Sequence, residues 1–183
     1  DEIALGLMQE ALGGSFTSRI NMNLREDKHW SYGVHSSLAD ARGQRPWLLS
    51  APVQTDKTVE SIQEIRRELA EFLATRPITA DEVDKIRSRD VRALSGQYET
   101  NAAVSGAIGD IVRFGRPDDY VRTLRARLQA QTDAGVRQAA AQAFQPESLT
   151  WVIVGDLSKI EAPIRELGLG IVQVLDADGN VLR

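Results

Sequence analysis

Cysteine is absent from this 183-residue sequence. That excludes disulfides, a thiolate zinc site, an iron–sulfur cluster and a cysteine nucleophile. Histidine is nearly absent: His29 and His35 are the only two. Six residues apart, they suit neither one helix face nor a paired-ligand turn, so any zinc chemistry has to come from elsewhere. No run approaches the roughly 20 apolar residues of a membrane span. An excess of one charge is lacking too. Against 26 acidic residues stand 22 basic ones, for a net charge of −4, and nothing calls for a nucleic-acid or membrane partner. The first residue is Asp1, not Met, and an apolar helical pattern is under way by residue 3. The sequence therefore reads as a piece of a longer protein, truncated at its N-terminus. What is present is ordinary for a globular chain, 42% hydrophobic and 26% charged. At this length about 70% of the unfolded surface can be buried, so residues 1–183 are expected to form one domain with a real core.

The hydrophobic pattern divides the chain into three parts. Ile3, Leu7, Met8, Ala11 and Leu12 recur at helical spacing until Gly13-Gly14. Ser15 to Ser18 offers N-caps to a second helix carrying Ile20, Met22 and Leu24, with Arg25 to Lys28 near its end. From Ser31 the period becomes two, which predicts a strand to about Leu38. Residues 46–54 (PWLLSAPVQ) read as its hairpin partner, with Pro52 pointing to an edge. The middle is helical. Val59, Ile62, Ile65, Leu69 and Phe72 form one stripe. Thr79 and Glu82 make a capping box, flanked by an Ile78–Val83 staple. Residues 101–114 are small and apolar, as where helices pack closely. Pro117 starts a short helix with Tyr120 and Leu124, and Thr132 caps another through Phe144. The end returns to sheet: residues 149–154 (LTWVIV) suit a buried central strand. A short helix over 157–167, a strand over 171–175 and a hairpin through Val181-Leu182 follow. The expected class is α+β, a mainly antiparallel sheet of four to six strands built from both chain ends and covered on one face by helices.

Several chemical signals are weak. Asp176, Asp178 and Asn180 echo a calcium loop without its downstream Glu. The glycines at 155, 168 and 170 lack phosphate-loop spacing. Glu60 and Glu64 belong to a solvated helix face, and no serine sits in a nucleophile elbow. The stronger segment joins a Gly-rich break, a helix and a strand within residues 12–34. Arg25 falls in the last turns of that helix and Tyr32 opens the strand seven residues later. A guanidinium and a phenol at such a junction can point into one cleft as donors to carbonyl oxygens, holding an extended peptide or a tetrahedral oxyanion. By spacing alone, a helix-end salt bridge and a core tyrosine account for them better.

The pattern Gly13-Gly14, Ser18-Arg19-Ile20, Leu24-Arg25-Glu26, Tyr32-Gly33-Val34 resembles the insulinase/pitrilysin family of zinc metallopeptidases, which includes the processing peptidases. The resemblance extends in order and spacing to residues 151–156 (WVIVGD) and 174–176. It is to the C-terminal-type, zinc-free domain, because no His-x-x-Glu-His motif is present. In that family this domain forms part of a chamber opposite a catalytic domain. The resemblance therefore implies that Arg25 and Tyr32 bind substrate backbone, that this chain holds no cofactor and cleaves nothing alone, and that zinc sits on a companion catalytic domain or subunit. Peptide is the implied substrate, and a bacterial periplasmic setting is implied, with the cytoplasm as alternative. The family often has Gly where His29 stands, at a left-handed helix cap. The domain's opening strand is expected to be missing before Asp1, leaving a sheet edge open to self-association. Two other readings remain: a scaffold domain of the same fold with no protease role, and an unrelated α+β ligand-binding domain.

Overall fold

Asp1 caps the first helix, its carboxylate accepting the N–H groups of Ile3 at 3.0 Å and Ala4 at 3.4 Å. Helix α1 spans Glu2–Gln9 in the computed structural model, which describes residues 1–183. It widens into a π-helical turn over Glu10–Gly14. Gly13 is required there by a close approach. A Cβ on it would meet the Ser36 Oγ at 2.8 Å and the Leu49 Cδ1 at 3.1 Å, so a side chain would push this turn off the hairpin. Helix α2, Arg19–Asn21, also widens, into a π-helical turn over Met22–Asp27.

Strands β1 (His35–Leu38) and β2 (Trp47–Ser50) pair antiparallel, with His35 opposite Ser50 and Leu38 opposite Trp47. Six helices follow: α3 (Thr58–Leu73), α4 (Ala80–Ala93), α5 (Asn101–Phe114), α6 (Tyr120–Gln129), α7 (Asp133–Ala143) and α8 (Leu157–Glu166). One apolar cluster joins α1, both π-helical turns, α3, α4 and α7 through Leu7, Leu12, Ile20, Leu24, Leu69, Val83 and Val136. Each such side chain, fully buried, contributes on the order of 1.5–3 kcal/mol. A smaller cluster of Ile62, Ile160 and Ile164 joins α3 to α8.

Local signals survive folding well. The Thr79–Glu82 capping box is formed, and the Ile78 and Val83 flanking it are both buried. Thr132 caps α7 by accepting the Gly135 N–H. The α+β class holds. The sheet does not reach the expected four to six strands: two are present. Residues 149–154 belong to no strand, and their backbones make no hydrogen bond to the rest of the chain. Residues 171–175 do no more than close the expected terminal hairpin, through a single Leu175–Val181 bridge and the Val174–Arg183 and Leu182–Val174 bonds. A ladder needs a neighbour at the right spacing, and no strand lies beside residues 149–154. The close helix packing expected at 101–114 is also absent. No residue of α5 is buried, and Val104, Ile108 and Val112 stand exposed along one side of it.

Candidate functional site

Arg25 projects from the π-helical turn, as its place in the sequence predicts, but its surroundings come from further away. Its guanidinium carbon lies 4.4 Å from the centroid of the Phe16 ring and 5.7 Å from that of Tyr32. Phe16 is 61% exposed and Tyr32 92% exposed. Three side chains thus form a surface stack in which a cation sits against two aromatic rings, each contact worth about 0.5–1 kcal/mol at an exposed site. The guanidinium makes no hydrogen bond, and its ionic neighbour is Glu26 Oε1 at 3.4 Å. The Tyr32 hydroxyl has no partner. Both donors face outward and uncommitted, a configuration suited to acceptor groups on a ligand.

Tyr32 does not open a strand. Ser31 bridges Val53, whereas His35 pairs with Ser50, so four residues on the first side span the same length as three on the second. The extra residue is a bulge, which bends a strand and re-aims a side chain. Side chains take over the missing ladder bonds. Asn21 Oδ1 accepts the Val34 N–H at 2.8 Å, and Ser31 Oγ accepts the Gly33 N–H at 3.1 Å and donates to the Pro52 carbonyl at 2.7 Å. Pro52 itself has no N–H to offer. The core-tyrosine alternative fails on this geometry.

Asn21 ties the site together. Buried at 3% exposure, it also donates from Nδ2 to the Phe16 carbonyl at 2.6 Å. One amide therefore fixes the turn bearing Phe16 to the segment bearing Tyr32. Asn23 fixes the helix from below, donating to Glu64 at 2.7 Å and to the buried Glu68 at 2.9 Å. Arg19 anchors its start by a fork to Glu82, at 2.8 and 2.7 Å, and by donation to the Pro77 carbonyl at 3.0 Å. Burial pushes the Glu82 carboxyl up, but the Arg19 bonds and the Thr79 cap outweigh it and hold the group below the usual range. Neither Phe16 nor Asn21 stood out by spacing. The one available signal was an aromatic residue inside a Gly/Ser/Thr turn.

His29 closes the helix with φ 58°, the one non-glycine residue in the left-handed region. Its Nδ1 lies 3.1 Å from the Arg25 carbonyl oxygen. The cap geometry is the one expected of a family glycine at this place. Both histidines are exposed, and no group of three or more His, Cys, Asp or Glu side chains is arranged to hold a metal ion. The donor set of this chain does not fit zinc. No helix is long and apolar enough to cross a membrane.

Comparison with known proteins agrees with this architecture. Residues 1–89 match the family model described as the peptidase M16 inactive domain, so the resemblance carried by Gly13 to Val34 is shown. No match was found among curated protein sequences. Among solved structures, a peptidase M16 inactive domain from Pseudomonas fluorescens superposes with a TM-score of 0.73 at 22% identity, over 80% of this chain and 35% of that one. The periplasmic protease PqqL from Escherichia coli gives 0.66 at 19% identity, over 77% of this chain and 15% of that one. A zinc protease described from Bordetella pertussis Tohama I gives 0.63 at 20%, over 76% of each chain. The chain thus spans about a third or less of the length of the first two structures. At these identities the likeness establishes the fold.

Proposed function

We propose that residues 1–183 act as one non-catalytic, substrate-binding domain that forms part of the chamber of a zinc metallopeptidase. Arg25 and Tyr32 hold the backbone of a peptide substrate, and Phe16 contributes the second aromatic face. Zinc and its activated water belong to a companion catalytic domain or subunit. The observation that carries this reading is the Arg25 guanidinium, oriented by two exposed rings and left without a hydrogen bond of its own. Such a donor is preorganised, so little rotamer freedom is lost when a carbonyl oxygen arrives.

The test uses the complete, zinc-bearing enzyme. Arg25→Ala and Tyr32→Phe are each expected to lower kcat/KM by about 10- to 1000-fold, as for the loss of one oxyanion donor. Wild-type turnover in both variants would leave a scaffold domain as the better reading. A periplasmic setting accords with the description of PqqL as periplasmic, and cell fractionation would check it. The open sheet edge favours self-association at high concentration, which a strictly monomeric elution profile would exclude.

A further inference from the structure

Phe16 stands mostly in solvent and gains little from its own burial, yet the turn that carries it is fastened at every residue. Ser15 Oγ donates to the Glu10 carbonyl at 3.3 Å, and the Ser18 N–H donates to the Ser15 carbonyl at 3.0 Å. Asn21 Nδ2 donates to the Phe16 carbonyl at 2.6 Å, and Lys85 Nζ of α4 donates to Thr17 Oγ1 at 3.0 Å. Groups other than the ring therefore decide where the ring sits. Across its face lies the Arg25 guanidinium carbon, 4.4 Å from the centroid.

Arg25 has a competing partner. Glu26 Oε1 is 3.4 Å from its Nε, near enough to attract it, without a hydrogen bond between them. Residues one apart on a helix do not face each other, so the guanidinium meets Glu26 only by bending back along its own turn. On an exposed surface an ion pair and a cation–π contact are of similar strength. The choice between carboxylate and ring is thus close, and the fixed position of the ring tips it. Tyr32, at 5.7 Å, is the looser of the two aromatic restraints.

We propose that Phe16 is a positioning residue: it draws the Arg25 guanidinium off the Glu26 carboxylate and keeps its N–H groups open to a substrate carbonyl. Asn21 acts one step behind, by fixing the turn from which the ring projects. Without the ring the guanidinium closes onto Glu26, and an arriving carbonyl has to displace a carboxylate. Either contact shifts the balance by roughly 2- to 5-fold at an exposed site, so losing one and gaining the other amounts to about 4- to 25-fold. This role for Phe16 rests on the substrate-holding role of Arg25, and the experiment separates the two.

The test is kcat/KM of the complete, zinc-bearing enzyme on a peptide, for single and double variants. Phe16→Ala is expected to lower it by about 4- to 25-fold, and Phe16→Tyr, which keeps a ring face, should recover most of that. Adding Glu26→Gln to Phe16→Ala should also recover most of it, because a neutral amide holds a guanidinium less firmly than a carboxylate does. A folding defect would give no such rescue. In an Arg25→Ala background, Phe16→Ala should have no further effect. A Phe16→Ala loss that Glu26→Gln leaves untouched, or that persists in full beside Arg25→Ala, would overturn the proposal. So would wild-type kcat/KM in Phe16→Ala where Arg25→Ala is impaired. Wild-type kcat/KM in Arg25→Ala would remove the reading of Arg25 itself, and the role of Phe16 with it.

Discussion

Residues 1–89 and residues 90–183 bury different things. Every buried polar or charged side chain (Gln9, Ser18, Asn21, Asn23, Ser36, Ser61 and Glu68) lies in the first part. The second part has none, and most of the large apolar side chains left in solvent belong to it, from Val104 on α5 to Leu182 at the C-terminus. Buried hydrogen-bonding groups cost free energy unless they are paired. The Ser18 and Ser61 hydroxyls here have no partner, whereas the Asn21 amide and the Asn23 Nδ2 are paired and fix one arrangement. The first part is therefore a rigid mount, in which Asn21 and Asn23 hold the helix that displays Arg25. The second part buries apolar side chains such as Val136 and Ala140 but leaves more apolar surface in solvent. The lesson is that paired polar burial marks where geometry is fixed, and exposed apolar residues mark where the chain leaves its own surface uncovered.

The largest separation between the two parts should appear on truncating apolar side chains. Leu24→Ala removes a fully buried contact beneath the site and should destabilise the chain by about 2–5 kcal/mol in urea unfolding. Val112→Ser, on the open face of α5, should fall within about 0.5 kcal/mol of wild type. Equal costs would dissolve the distinction. Next comes Gly13→Ala, which forces a methyl group against Ser36 and Leu49 and should cost about 1–3 kcal/mol by overpacking. Thermal unfolding would measure it.

Acid should act through the first part as well. The folded-state carboxyl of Glu82 is held low by Arg19 and the Thr79 cap against the opposing push of burial. Glu64 is likewise held low: burial pushes it up, and its bonds to Arg67 and Asn23 outweigh that. In the unfolded chain both groups take up protons at the higher, ordinary value of about 4.3. The stabilisation is therefore complete well above that pH and is lost as pH falls through the folded-state values. Urea midpoints should be flat from about pH 7 to 5.5 and decline below about pH 4.5, and Glu82→Gln should flatten that decline. A midpoint that rose on acidification would contradict this assignment. The smallest effect is expected at His29→Gly. It relieves a left-handed side chain at the cost of some unfolded-state entropy, for a net gain of about 0.5 kcal/mol.

Much of the helical frame was legible in the residues. The Thr79–Glu82 box, the staple of Ile78 and Val83, the Thr132 cap and the α3 stripe are interactions between neighbours in sequence, and their residue types name them. Arg25 at a helix end was legible for the same reason, whereas the left-handed position of His29 was expected from the family resemblance alone. Tyr32 was assigned to a strand because alternation persists through residues 31–38. The bulge that displaces it depends on Val53 and Pro52, some twenty residues away. Phe16 and Asn21 escaped notice because an aromatic in a turn and an amide in a helix have no meaning until Val34 is brought beside them.

The amino-acid sequence thus determined the helices, their caps and the class of domain, since those follow from contacts within a turn or two of chain and from one conspicuous motif. Tertiary structure alone decided the strand count and the outward stack of Phe16, Arg25 and Tyr32. The reason is that a strand is completed by its neighbour. Residues 149–154 carry every local mark of one, and whether they pair depends on which backbone lies about 4.8 Å away.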